Sequence, residues 1–166
     1  AGWAQYGYCA SHSRFFWGLR LHLITTTAGL PVAWAVTSPS QDEREVLRSM
    51  LEHLATTGAH TIITDKGYRS ADLEDDLNQA GLTLLRPAAR NEAPRPGAAA
   101  LKKIRQRIES VFDTLKDQLG LERHNGRTPT GVTTRVTQRI LDLTAAIWHN
   151  DNTSNPHLRS LTPYDH

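Results

Sequence analysis

Residues 101–119 place Leu101, Ile104, Ile108, Val111, Leu115 and Leu119 at steps of three and four, a spacing that commits the segment to a long amphipathic helix. Such a helix needs other elements to cover its apolar stripe, and Gly120 stops it directly afterwards. With 166 residues and 39% hydrophobic content the chain can bury one sizeable core and is short for two. The covering layer must therefore come from the segments on either side.

Upstream, residues 18–26 alternate Leu19, Leu21 and Leu23 with Arg20 and His22, the period of a half-buried strand. Ala28 and Gly29 make a turn, and residues 30–36 read as the hairpin partner. Residues 42–55 carry Val46, Leu47, Met50, Leu51 and Leu54 at helical spacing, with acidic residues in the first turn. The apolar run 61–64 is a short buried strand that delivers Asp65 at its C-terminal end. Ser70 caps a helix through Ala80, Gly81 stops it, and residues 82–85 form another strand. Residues 86–100, with Pro87, Pro94, Pro96 and Gly97, form an irregular loop. A last helix covers 132–148, and 150–166 is expected to be a loosely ordered tail. Residues before 18 carry no start signal for a helix or a strand. Their aromatics Tyr6, Tyr8, Phe15, Phe16 and Trp17 could stack on bases, but packing under the 18–36 hairpin is the expectation.

Lys and Arg number 19 against 17 Asp and Glu, so net charge alone does not identify a nucleic-acid partner. Local crowding is more informative: Lys102, Lys103, Arg105 and Arg107 fall close together, and Arg123, His124 and Arg127 follow. Cys9 is the single cysteine, which rules out an internal disulfide and fits a reducing, cytoplasmic setting. No stretch approaches the roughly 18 apolar residues of a membrane span, and no export leader opens the sequence. The histidines show no spacing typical of a zinc site.

Two carboxylates stand out. Asp65 ends a short buried strand, a rigid mount for a metal ligand, and Gly67 allows the chain to turn away from it. Glu109 lies on the long helix. At about 100° per residue, Lys102, Arg105, Glu109 and Lys116 fall within about 60° of one another, on a polar strip beside the apolar stripe. The plain alternative is a solvated strip with ordinary pairing of Arg105 and Glu109, worth about 0.2–0.5 kcal/mol.

The run Arg105-x3-Glu109-x6-Lys116, with Asp65-Lys66-Gly67-Tyr68 before it, resembles the signature of bacterial insertion-sequence DDE transposases. Tyr6-Gly7-Tyr8, residues 18–23, Gly29-Leu30-Pro31-Val32 and residues 119–123 are similar to the same group, so the resemblance runs from about residue 2 to about residue 149. Lys102 departs from it, standing where the family has a tyrosine. The family's first aspartate lies on a strand upstream of the residues that match Ala1 onward. The resemblance thus implies an α/β, ribonuclease H-like mixed sheet with flanking helices and its first strand missing. It places a partial catalytic domain at 1–149.

The resemblance further implies that Asp65 and Glu109 are catalytic and bind metal, with two Mg²⁺ (or Mn²⁺) ions in the complete protein. Arg105, Lys116, Lys66 and Tyr68 would contact DNA phosphates. The implied function is metal-dependent phosphodiester cleavage and strand transfer on DNA, at element ends and target. It implies a homo-oligomer in the complete protein, at the nucleoid rather than at a membrane. Without the upstream aspartate this chain is expected to be inactive by itself, and the alternative is a non-catalytic remnant that binds DNA through its basic helix.

Overall fold

The computed structural model describes residues 3–9, 13–54 and 59–162. Strands β1 (Gln5–Cys9) and β2 (Arg14–Gly18) form an antiparallel hairpin, and β3 (Arg20–Thr25) and β4 (Pro31–Thr37) form a second. Helix α1 (Glu43–Glu52) leads to β5 (His60–Ile63), α2 (Ala71–Gln79) follows, and β6 (Leu82–Leu85) returns parallel to β5. Helix α3 (Ala98–Asp113) runs into a π turn, Thr114–Gln118, and the 24-residue α4 (Pro129–Asn152) completes the described fold.

Local chemistry fixes these elements. Asp42 caps α1 by accepting from the Arg44 amide at 2.8 Å, and Ser70 caps α2 by accepting from the Leu73 amide at 3.3 Å. Thr128 caps α4 ahead of Pro129, whose missing N–H costs nothing in a first turn. Gly81, at φ +74°, ends α2 in the left-handed region.

The strands pair differently from the single mixed sheet expected of the chain. Among the described residues they form three separate two-stranded sheets, β1–β2, β3–β4 and β5–β6. The core is also divided. One cluster joins Val111 and Leu115 to Val132, Val136, Ile140, Leu143 and Ile147 of α4, with Leu19, Leu21, Leu23 and Trp34 packed against it. The other joins Leu47 and Leu51 of α1 to Leu73, Leu77, Leu82 and Leu84, with Ile24, Ile62 and Tyr68 at its margin. Val111, Leu115, Leu73, Ile140 and Leu143 are fully buried, each contributing about 1.5–3 kcal/mol over an exposed side chain.

β3 serves both clusters. Its odd-numbered leucines face the first, Ile24 faces the second, and His22 is buried, so the strand is covered on both faces instead of half-buried as its alternation suggests. Polarity at Arg20 and His22 is accommodated by partners: Arg20 forms an ion pair with Glu43, and His22 Nε2 lies 3.0 Å from Thr37 Oγ1.

Two expectations change at the ends of the chain. Gln5–Cys9 and Arg14–Gly18 pair as strands although the sequence carries no start signal for them, and Gly7 opposite Phe16 makes room for that ring: a Cβ at position 7 would lie 2.4 Å from it. The other aromatics, Tyr6, Tyr8, Phe15 and Trp17, are turned to solvent and do not pack under the β3–β4 hairpin. At the far end, where a loose tail is expected from residue 150, α4 runs on to Asn152 and residues 155–160 are tied back. Asn150, fully buried, donates to the Leu158 and Ser160 carbonyls at 3.0 and 2.8 Å, and Arg159 donates to the Ala28 carbonyl at 3.1 Å. Residues 163–166 lie outside the described residues.

The irregular loop after β6 is held by charge. Arg86, 3% exposed, donates to Glu74 through Nε at 2.9 Å and to both oxygens of Glu92 at 2.8 and 3.0 Å. Arg95 closes the ring with bonds to Glu92 and Glu74 at 3.0 and 2.9 Å. A buried guanidinium needs such partners, and here they clamp the loop to α2. The bond from Arg86 holds the Glu92 carboxyl well below the usual range.

Candidate active site

A cleft of about 810 Å³ opens between β3, β5 and α3. Its walls include the unbroken runs 20–27 and 61–65. Successive side chains of a strand point to opposite faces, so a wall seen by every residue in turn is the strand's edge and not one of its faces. β3 pairs only with β4, and β5 only with β6, among the described residues. The cleft is therefore flanked by two strand edges whose outward N–H and C=O groups have no ladder partner.

Asp65, after the end of β5, and Glu109, on α3, both line this cleft. Thr64 extends the β5–β6 ladder by one bond, its amide donating to the Leu85 carbonyl at 3.1 Å, and Asp65 follows at the rigid end. Asp65 Oδ1 accepts from the Gly67 amide at 2.7 Å. Gly67 has no positive φ; its use is closeness, since a Cβ there would stand 3.0 Å from that same oxygen. Glu109 Oε1 accepts from Arg105 Nε at 2.9 Å, the i,i+4 pair of a solvated helix face, and both side chains are more than half exposed. Arg105 also lines the cleft, and Glu109 first, then Asp65 at longer range, raise its pKa.

Tyr68 reaches the cleft from the 3₁₀ turn Lys66–Tyr68. Burial, then the carboxylates of Glu43 and Asp65, push its phenol up to about 12, so it stays a neutral O–H donor near neutral pH. Lys66 and Lys116 do not line the cleft. Lys116 Nζ lies 3.5 Å from Glu122 Oε1, and it falls in the π turn Thr114–Gln118, where the ideal 100° step behind the strip from Lys102 to Lys116 no longer applies.

The sequence model of the family described as "Transposase DDE domain" matches residues 1–143. The chain belongs to that family. No curated protein and no solved structure matches it. DDE domains act in transposition with divalent metal ions, which poses a test for this chain's own donors. Asp65 and Glu109 offer hard carboxylate oxygens, and among the described residues each has a second oxygen without a hydrogen bond. Mg²⁺ commonly takes one or two carboxylates together with substrate phosphates and water, so the donor set fits. Among the described residues no group of three or more His, Cys, Asp or Glu is close enough to form a complete cage. No described helix of this DDE domain is long and apolar enough to cross a membrane.

Glu43, Arg20 and Lys102 also line the cleft of the DDE domain. Glu43 escaped the sequence reading because an acid in the first turn of a helix is explained by the helix dipole alone. Its pairing with Arg20, 23 positions away on another element, has no sequence periodicity to betray it.

Proposed function

We propose that this DDE domain carries out metal-dependent cleavage and strand transfer on DNA within a complete transposase. The observation that carries the reading is the meeting on one cleft of Asp65, from the end of β5, with Glu109 and Arg105 of α3. Asp65 and Glu109 would hold Mg²⁺ or Mn²⁺. Bound there, the ions supply activation of the attacking water or 3′-hydroxyl and neutralise charge on the leaving oxygen. Arg105 exchanges its carboxylate partner for phosphate oxygens, and the neutral Tyr68 hydroxyl donates to the same backbone. Lys116 and Lys66 extend the phosphate track outside the cleft. The partners are element ends and target DNA at the nucleoid, engaged by a homo-oligomer of the complete protein.

The same reading supplies the ribonuclease H-like sheet. An extended segment, the one that the family resemblance places before residue 1, pairs with β3 on one side and β5 on the other. It joins the two small sheets into one and brings the first aspartate beside Asp65. The two unpaired edges flanking one cleft support this arrangement.

The test uses a protein that includes the upstream segment. Mg²⁺ or Mn²⁺ should permit cleavage that Asp65→Ala or Glu109→Ala abolishes. Neutralising Arg105 and Lys116 together should weaken binding to DNA of any sequence and flatten its salt dependence, by about 0.9 in slope per lost contact. Cleavage that survives Asp65→Ala would overturn the catalytic assignment. Binding without cleavage in the extended protein would favour a remnant that only holds DNA, and an unchanged salt slope would reduce the strip to a solvated helix face.

A further inference from the structure

The β1–β2 ribbon carries a face that neither the core nor the cleft uses. Tyr6 stands opposite Trp17 and Tyr8 opposite Phe15, so the pleat puts all four rings on one side. The first pair meets edge to face with centroids 4.8 Å apart, and the second is tilted at 5.1 Å. The rings brace one another, yet Tyr6 and Phe15 remain 74% exposed, Trp17 56% and Tyr8 49%. Four contiguous aromatics left in water are not the scattered exposure of ordinary surfaces.

Charge and spacing narrow what could cover them. The sequence has no acidic residue before Asp42, and Arg14, exposed on β2, lies on the other side of the ribbon from the rings. A polyanion meets no repulsion from the ribbon itself. The two ring pairs lie two residues apart along each strand, about 7 Å, whereas bases along one strand of a duplex are spaced about 3.4 Å. The rings therefore suit bases that have been drawn apart. A second copy of the chain is less well served. Rings of this kind bury about 150–250 Å² each; at the exposures observed, the face offers about 400–600 Å², short of the about 800 Å² per partner of a stable interface.

We propose that the Tyr6, Tyr8, Phe15 and Trp17 face binds unpaired bases of a DNA strand by stacking. The site is separate from the cleft and independent of its metal chemistry, although it rests on DNA being the partner. Stacking needs planar rings, which gives a substitution that keeps apolar bulk and removes the interaction.

Binding of the whole chain to labelled oligothymidylate and to a duplex of equal length, read by fluorescence anisotropy, tests this. Tyr6→Leu with Phe15→Leu should weaken single-strand binding at least about tenfold and leave duplex binding unchanged, while Tyr6→Phe with Phe15→Tyr should retain it. Oligothymidylate should quench tryptophan emission, and Trp17→Leu should remove part of that quench. Both affinities are read in EDTA, without divalent metal, so that loss of the cleft's metal chemistry leaves this readout intact and failure of the cleft assignment and failure of the ribbon assignment are told apart. The proposal is overturned if the unaltered chain does not bind oligothymidylate, if the leucine pair binds as well as wild type, or if duplex affinity falls equally. A dimer that Tyr6→Ser with Phe15→Ser dissociates, without change in oligonucleotide affinity, would assign the face to a second copy instead.

Discussion

His22 is a polar residue placed where the fold wants an apolar one. Burial first, and the nearby Arg20 charge second, lower its pKa below the ordinary value. The unfolded chain then takes up a proton at a pH where the folded chain does not, so folding stability is whole above about 6.5 and declines as pH falls from there through the folded value. Thermal unfolding followed from about pH 7.5 to about pH 5.5 should show that decline, and His22→Gln should shallow it. It should not abolish it, because burial and Arg139 lower His124 in the same direction. An equal slope in His22→Gln would remove His22 from the account. Residues of this kind are poorly legible in sequence: the alternation around His22 reads as a wet face, and only the second hydrophobic cluster behind β3 reveals otherwise. Asp65 and Glu109 were legible because a strand end and a helix signature single them out. Glu43 was not, since nothing local separates it from Glu45.

At the scale of elements, apolar periodicity located α1, α2 and α3 and the β3–β4 hairpin, because each buries one repeating set of side chains. It failed where structure depends on distant partners. The π turn at Thr114–Gln118 leaves no mark in the spacing of Val111, Leu115 and Leu119, and Lys116, which lies in it, does not line the cleft. The β1–β2 ribbon lacks a buried repeat for the opposite reason, since its aromatic set faces outward. The segment after α4 reads as a tail because its order rests on polar bonds, chiefly those of Asn150 and Arg159, and not on an apolar repeat. Asn150 is fully buried, its amide nitrogen serves the carbonyls of His157, Leu158 and Ser160, and its oxygen accepts from Asn155 at 3.3 Å. Asn150→Ala should cost about 2 kcal/mol in chemical denaturation by stranding those carbonyls. It should also expose residues 155–160 to protease first; resistance equal to wild type would show the segment is held by Arg159 and its neighbours instead.

At the scale of the molecule, two hydrophobic clusters lie on opposite faces of β3, and among the described residues no strand pairing joins the sheet on one side to the sheet on the other. The extended segment proposed for the cleft would make that connection, and supplying it upstream should raise the melting temperature. An unchanged melting temperature would argue that the cleft does not take a strand. The half-paired state of β3 should also be visible as a rhythm in time. An antiparallel partner engages only every second amide, so β3 carries two interleaved sets of N–H groups, one locked against β4 and one aimed at open space. Placed in deuterium oxide, the strand should gain label with a two-residue beat, slow and fast in turn. Arrival of a neighbour on the cleft side would silence the fast beat and leave the slow one unaltered.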